Sequence, residues 1–149
     1  MLPAYAKDGF LEHPLIVRGA VAGDLFIDWL IHGILPQMNR FPEEHSILII
    51  DNCSTHWTEA VQEACDAAGI LLLYLPPYLP DLNPIENLWD HLDRQVRKRK
   101  PPSKSKQELI NVVQEEWRNI SFETLHDLIL SLPNRVNAVI KAKGGHTKY

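Results

Sequence analysis

Apolar residues along this chain change their spacing several times, and each change marks an element. Leu15-Ile16-Val17, with Gly19 and Val21 beyond, reads as a strand that can pair with residues before Ala6. Asp24 is placed to cap a helix in which Leu25, Phe26, Trp29, Leu30, Gly33 and Ile34 recur at helical spacing, and Pro36 to Pro42 ends it. Ile47-Leu48-Ile49-Ile50 is apolar without alternation, which predicts a strand buried on both faces of a helix-covered sheet, with Asp51 at its C-terminal end. Ser54 or Thr55 can cap the following helix, whose stripe is Trp57, Ala60, Val61, Ala64, Cys65 and Ala68 and whose stop is Gly69. Ile70 to Leu75 is a second buried strand. Strand, helix and strand joined by short connections imply neighbouring parallel strands and a right-handed crossover.

The second half of the chain reads differently. Residues 76–81 are too rich in proline for helix or strand and predict a stiff ordered loop. Asn83-Pro84 then opens a helix, with a capping residue followed by proline at the first helical position. Its stripe is Ile85, Leu88, Trp89, Leu92 and Val96. After Pro101-Pro102, Ser105-x-x-Glu108 has the spacing of a capping box, and Leu109, Val112, Val113, Trp117 and Ile120 line one face of the helix it starts. Two short helices follow, one carrying Phe122, Leu125, Leu128 and Ile129, the other Val136, Val139 and Ile140, with Gly144-Gly145 as terminator. The expected class is α/β: a small, mostly parallel sheet with helices on both faces over residues 1–100, and a helical C-terminal part over 101–149.

Composition adds mainly exclusions. Hydrophobic residues at 45% and charged residues at 23% are ordinary for a globular domain. No apolar run approaches the ~20 residues of a membrane helix, and no basic segment with an apolar core opens the chain, so neither a membrane span nor a secretion signal is expected. Two cysteines, Cys53 and Cys65, make no disulfide framework and suit a reducing interior. Cys53-x-x-His56 has half of a zinc site's ligands, but no second pair stands at a suitable spacing. The net charge of −4 hides an asymmetry: residues 1–93 sum to −11 and residues 94–149 to +7. Residues 94–106 carry seven positive charges and no negative one. An acidic half followed by a basic run suits a cation site beside a polyanion, although a solvated helix end and linker would show the same run.

Chemistry is expected at two carboxylates. Asp51 ends a strand at the sheet edge where open α/β sheets bind ligands, a place where an Asp can equally be a turn residue or cap. Glu86 stands three residues after Asn83, so it can close a capping box or turn toward the strand ends. The path from Asp51 through strand, loop and helix returns Glu86 to the same edge. Two carboxylates brought together there repel unless cations sit between them. Oxygen ligands of this kind suit Mg2+ or Mn2+, and a pair of such ions ~3.5–4 Å apart can activate the attacking oxygen and stabilise the leaving one in phosphodiester transfer.

Ile50-Asp51-Asn52-Cys53-Ser54-Thr55-His56 resembles the Asp-Asn-x-x-x-His segment of mariner-superfamily DDE transposases. Residues 74–89, YLPPYLPDLNPIENLW, are similar to that family's Leu-Pro-Pro-Tyr-Ser-Pro-Asp-Leu-Asn-Pro-Ile-Glu stretch, with Leu79 in place of the usual serine. Residues 139–149 resemble the family's C-terminus, so the likeness runs along nearly the whole chain. The resemblance implies a ribonuclease-H-like fold of the retroviral-integrase superfamily and DNA transposition and integration as the activity. It also implies a two-metal Mg2+ or Mn2+ site in which Asp51 and Glu86 are catalytic and metal-binding. By position, Asn52, Asn83 and Asn87 flank the carboxylates and can orient them, with Asn83 a cap first; His56 can support the site from behind, contact DNA or pack against the loop; and Arg97, Lys98, Arg99, Lys100, Lys104 and Lys106 can hold DNA phosphates. Transposon-end DNA is the implied partner, a homodimer a further one, and the nucleus the compartment if the source is eukaryotic.

One departure qualifies these expectations. The family's first catalytic Asp ends the opening strand, well before the second. Asp8 reads as a turn residue here, and Asp24 and Asp28 belong to a helix start. The chain is therefore expected to be N-terminally truncated, without the first strand, its Asp and the helix-turn-helix region, and inactive by itself. Rival readings are a non-catalytic DNA- or protein-binding module derived from a transposase, and a ribonuclease-H-type nuclease.

Overall fold

Ile47 to Ile50 is the strand the rest of the first half is built around. In the computed structural model, which describes every residue except His13, Arg18, Tyr78, Pro80, Asp81, His146, Lys148 and Tyr149, β3 (Ile47–Ile50) pairs in parallel with β4 (Leu71–Tyr74). Ile47 lies opposite Leu71 and Ile50 opposite Tyr74, and Leu75 N–H donates to the Ile50 carbonyl at 2.8 Å, extending the ladder past the strand ends. The connecting helix α2 (Glu59–Ala68) ends at Gly69, which takes the left-handed conformation (φ 75°), as the stop at that position predicts.

Upstream, β1 (Tyr5–Ala6) and β2 (Gly9–Phe10) form a hairpin whose turn contains Asp8. The strand expected at 15–21 is reduced to one antiparallel bridge between Leu2 and Leu15, and Arg18 falls outside the described residues. Helix α1 (Gly23–Trp29) runs on through a wider π turn (Leu30–Ile34) and a 3-10 turn (Leu35–Gln37). Asp24 does not cap it. Ala22 holds that position, and Asp24 lies in the first turn, where its charge favours the positive end of the helix dipole.

Phe26, Leu30 and Ile34 from this helix meet Val61 and Cys65 from α2, with Leu48, Ile50 and Leu72 of the strands against them. The two helices therefore share one face of the β3–β4 pair. The other face is open: Ile47, Ile49, Leu71 and Leu73 are 37–45% exposed. The expected burial of both faces is thus corrected to one. A pleated strand alternates its side chains, and an apolar residue at every position does not by itself supply a second covering layer.

Residues 1–79 form one compact unit and residues 80–149 another. In the second, α3 (Pro84–Lys98) packs with α4 (Lys106–Arg118) and α5 (Phe122–Leu130), and α5 with α6 (Leu132–Lys141). Leu82, Leu88, Leu92, Trp117, Ile120, Leu125 and Val139 are its buried apolar residues. Trp89 and Trp117 lie with ring centroids 5.4 Å apart, as expected of packing residues on facing stripes. Ser105 accepts from Glu108 N–H, and Glu108 reaches back to Lys104 N–H at 2.7 Å, one residue short of the partner a capping box would use. Among the described residues, no helix is long and apolar enough to cross a membrane.

Gly69 makes the first unit testable. A Cβ there would sit 2.7 Å from Arg40 Nε, and φ is in the region that L side chains avoid. Gly69→Ala is expected to lower stability by about 1–2 kcal/mol, read as a lower urea midpoint with unchanged slope.

Candidate active site on the first unit

Asp51 follows the last residue of β3, and a tight loop immediately fixes its carboxylate. Oδ1 accepts from Cys53 N–H at 3.0 Å and from His56 Nδ1 at 2.6 Å. A carboxylate can only accept when ionised, so the proton of that short contact then belongs to Nδ1. The loop closes on Cys53, whose carbonyl takes His56 N–H at 2.9 Å and Trp57 N–H at 3.0 Å. Tyr74, the last residue of β4, donates its hydroxyl to the His56 carbonyl at 2.9 Å. The His56 ring, 13% exposed, lies 4.2 Å by centroid from Phe26, a buried core residue. Asp51 is thereby held through His56 to the centre of the unit, while its own side chain stays 48% exposed. One oxygen is occupied and the other remains for a ligand.

This loop displaces the expected helix start. Residues 54–57 serve the turn, and Thr58 caps α2 by accepting from Val61 N–H at 3.3 Å. Ser54 and Thr55 are not caps, and Trp57 is not on the buried stripe: it is 61% exposed, against Tyr74 at 4.3 Å between centroids. Asn52 is exposed and gives Asp51 no hydrogen bond, whereas His56 contacts Asp51 directly. Cys53, Tyr74 and Phe26 belong to this neighbourhood as well. Only the strand-end position of Tyr74 could have signalled its part.

Each acidic residue considered as a further carboxylate is engaged elsewhere. Asp8 stands 3.2 Å from His45, Asp28 stands 3.5 Å from His32 on the same helix, and Asp24 is in the first turn of α1. None ends a strand of the parallel pair.

On the second unit, Glu86 lies in the first turn of α3 and is exposed. Asn83 caps that helix alone: its side chain accepts from Ile85 N–H at 3.4 Å, while Glu86 donates its backbone N–H to the Asn83 carbonyl. The Glu86 carboxylate does not return to Asn83, so the capping-box alternative falls away. It takes no hydrogen bond or ion pair from the described residues, and Asn87 is half-buried beside it. The loop expected to be stiff at 76–81 includes Tyr78, Pro80 and Asp81, which lie outside the described residues.

The basic run divides into spent and free charges. Arg99 joins α3 to α4 through Glu115 at 3.1 Å and Glu116 at 2.5 Å, and these two carboxylates raise its pKa. Arg97 pairs with Asp93 at 2.6 Å on its own helix. Lys98 makes only a long contact to Gln95, at 3.5 Å. Lys100, Lys104 and Lys106 are exposed and have no side-chain partner among the described residues.

Each of the two carboxylates, taken by itself, suits a hard divalent cation. Asp51 keeps an oxygen free, and Glu86 is a carboxylate with no structural duty among the described residues. Both are oxygen donors of the type Mg2+ and Mn2+ prefer.

Comparison with known proteins fits this reading. Residues 1–110 match the model of the DDE superfamily endonuclease family. The transposable element Tc1 transposase of Caenorhabditis elegans is 36% identical over 102 residues, covering 66% of this chain and 36% of that protein. The Tcb2 transposase of Caenorhabditis briggsae is 34% identical over 99 residues, with the same coverage. The matched part thus spans about a third of the length of these curated relatives. The catalytic domain of Mos1 mariner transposase superposes with a TM-score of 0.78 at 18% identity, over 97% of this chain and 73% of that one. A Mos1 paired-end complex with Mn gives 0.79 at 20% identity, over 97% and 43%. The fold is accordingly ribonuclease-H-like, of the kind in the Mos1 catalytic domain.

The two thiols differ in environment. Burial pushes the Cys65 thiol up to about 11, while Cys53 is exposed on the loop. With a maleimide at neutral pH, the native chain is expected to label at Cys53 alone. Cys65 should label only on unfolding, as peptide mapping would read.

Proposed function

Since this chain belongs to the DDE superfamily endonuclease family, we propose that it is the part of a DDE transposase that supplies two of the three metal-binding carboxylates, Asp51 and Glu86. The observation that carries the proposal is the state of Asp51: a strand-end carboxylate oriented by His56 and Cys53 N–H on one oxygen and open on the other. Structures of the Mos1 catalytic domain with Mg and with Mn make divalent ions the matching cofactor. Bound there, such ions supply Lewis-acid stabilisation of the attacking and leaving oxygens of a phosphodiester. The chain's own residues do the rest. His56 holds the Asp51 carboxylate in place, and Glu86 stands at a helix start with no hydrogen bond or ion pair among the described residues.

The substrate is transposon-end DNA, as in the Mos1 paired-end complex with a left transposon end. Lys98, Lys100, Lys104 and Lys106 form the phosphate-holding set, and Arg99 is reserved for the α3–α4 junction. The 149-residue chain alone does not cleave, because Asp8, Asp24 and Asp28 are placed too poorly to complete a triad.

Three measurements test this. A Mn2+-dependent nicking assay on the chain alone should show no cleavage, and cleavage that requires both Asp51 and Glu86 would overturn the claim of inactivity. A chimaera with the preceding segments of the Tc1 transposase should cleave Tc1 ends. Asp51→Asn or Glu86→Gln should each reduce its rate by roughly 10²–10⁴-fold, since each ~1.4 kcal/mol of lost stabilisation is tenfold. Replacing Lys98, Lys100, Lys104 and Lys106 by alanine should flatten the plot of log affinity against log salt by about 3–4 in slope, whereas Arg97→Ala should leave that slope nearly unchanged.

A further inference from the structure

Cys53-x-x-His56 has only two of the ligands a zinc site needs, and the fold brings the third. Asp51, Cys53 and His56 present a carboxylate oxygen, a thiol sulfur and an imidazole nitrogen that all lie within 4.8 Å of one another. The loop that carries them is fixed before any ligand arrives. Its backbone closes on the Cys53 carbonyl, Tyr74 anchors the His56 carbonyl, and Phe26 backs the imidazole. Cys53 is exposed, and among the described residues its Sγ makes a hydrogen-bond contact to Thr55 Oγ1 at 3.3 Å and no other.

Tetrahedral zinc, with bonds of about 2.0 Å to nitrogen and oxygen and about 2.3 Å to sulfur, needs donors some 3.3–3.7 Å apart. Closing the set to that spacing takes a rotation of the Cys53 side chain and a modest opening of the 2.6 Å contact between Asp51 and His56. Three protein donors and a water would complete the shell. Mg2+ and Mn2+ gain little from a thiolate, whereas Zn2+, Cd2+ and Co2+ gain much. The family segment this loop resembles leaves the position of Cys53 unspecified, so the third donor belongs to this chain's own sequence.

We propose that Asp51, Cys53 and His56 form a binding site for a thiophilic divalent cation of the Zn2+ class, and that its occupation withdraws Asp51 from phosphoryl transfer. The binding stands on the three side chains alone; the inhibition rests on the role given to Asp51 above. On binding, the Cys53 thiol releases its proton to solvent, the imidazole keeps its one proton on the nitrogen away from the metal, and Sγ and the unprotonated ring nitrogen become ligands.

Cobalt reports the site directly. Titrating the 149-residue chain with Co2+ should produce a thiolate-to-cobalt charge-transfer band that saturates at equimolar metal, is bleached by Zn2+ and survives excess Mg2+. Cys53→Ser should abolish the band. His56→Ala and Asp51→Asn should weaken Co2+ binding by about tenfold or more, and Glu86→Gln should leave it intact. Circular dichroism would confirm that each variant is folded, and Cys53, being exposed, should tolerate serine. Absence of the band, its survival in Cys53→Ser, or its loss in Glu86→Gln would overturn the site. In the Tc1 chimaera, Zn2+ should inhibit Mn2+-dependent cleavage, and Cys53→Ser should raise by about tenfold the Zn2+ concentration that halves each protein's own zinc-free rate. Inhibition that ignores Cys53→Ser would overturn the regulatory claim. A chimaera that cleaves regardless of Asp51→Asn would instead remove the catalytic reading and leave the cobalt result standing.

Discussion

The hydrogen bond between Asp51 and His56 ties the chemistry of the first unit to its core. At 2.6 Å it is a charge-assisted contact, and its donor ring rests on Phe26, which is 2% exposed. Any change that loosens Phe26 therefore reaches the carboxylate through one intermediary. The same bond explains why the loop after β3 is tight. His56 must fold back over five residues to meet Asp51, so residues 54–57 cannot begin a helix, and α2 waits for Thr58. Order in the site and delay of the helix are two results of one interaction.

Local chemistry was legible where it is settled within a few residues. Gly69 as the left-handed stop, Asn83-Pro84 as a helix start and Ser105 as a cap all follow from backbone groups that a neighbouring side chain must satisfy. The parallel pairing of β3 with β4 was legible too, because a short strand–helix–strand path leaves few alternatives. Ile47-Leu48-Ile49-Ile50 says that the strand tolerates burial on both faces, but whether a second layer covers it is a property of other segments. Asp24, Ser54 and Thr55 are good capping residues by type, yet Ala22 holds the α1 position without a side-chain cap bond and Thr58 holds the α2 position by a local bond to Val61 N–H.

The candidate site was legible in its carboxylates and less so in its surroundings. Asp51 and Glu86 were reached from their positions at the ends of elements, and the structure keeps both accessible. His56 was one of four supports considered, and the structure gives it a contact that Asn52 does not make. A hydrogen-bond partner five residues away in a loop has no periodicity to announce it. Tyr74 is harder still, since its hydroxyl reaches the His56 carbonyl only because β4 lies beside β3. Composition likewise gave the basic run as one feature, whereas geometry divides it, because Glu115 and Glu116 on the next helix claim Arg99.

That division bears on how a net-acidic chain could meet a polyanion. Arg99 is held between two carboxylates, so recruiting it to a phosphate would break existing pairs and recover little. Among the described residues, Lys100, Lys104 and Lys106 have no such pairs to break, and they flank Pro101-Pro102, where proline cannot continue α3. Their charges remain available to solvent or to a ligand. Glu86, Asp90 and Asp93 lie nearer the start of α3, and Arg94 and Arg97 neutralise the latter two by pairs one turn apart. What is left along α3 is an uncompensated carboxylate at its first turn and uncompensated ammonium groups beyond its last. A helix so arranged separates its free negative charge from the free positive charges by its own length, and it needs no net positive charge on the chain to do so.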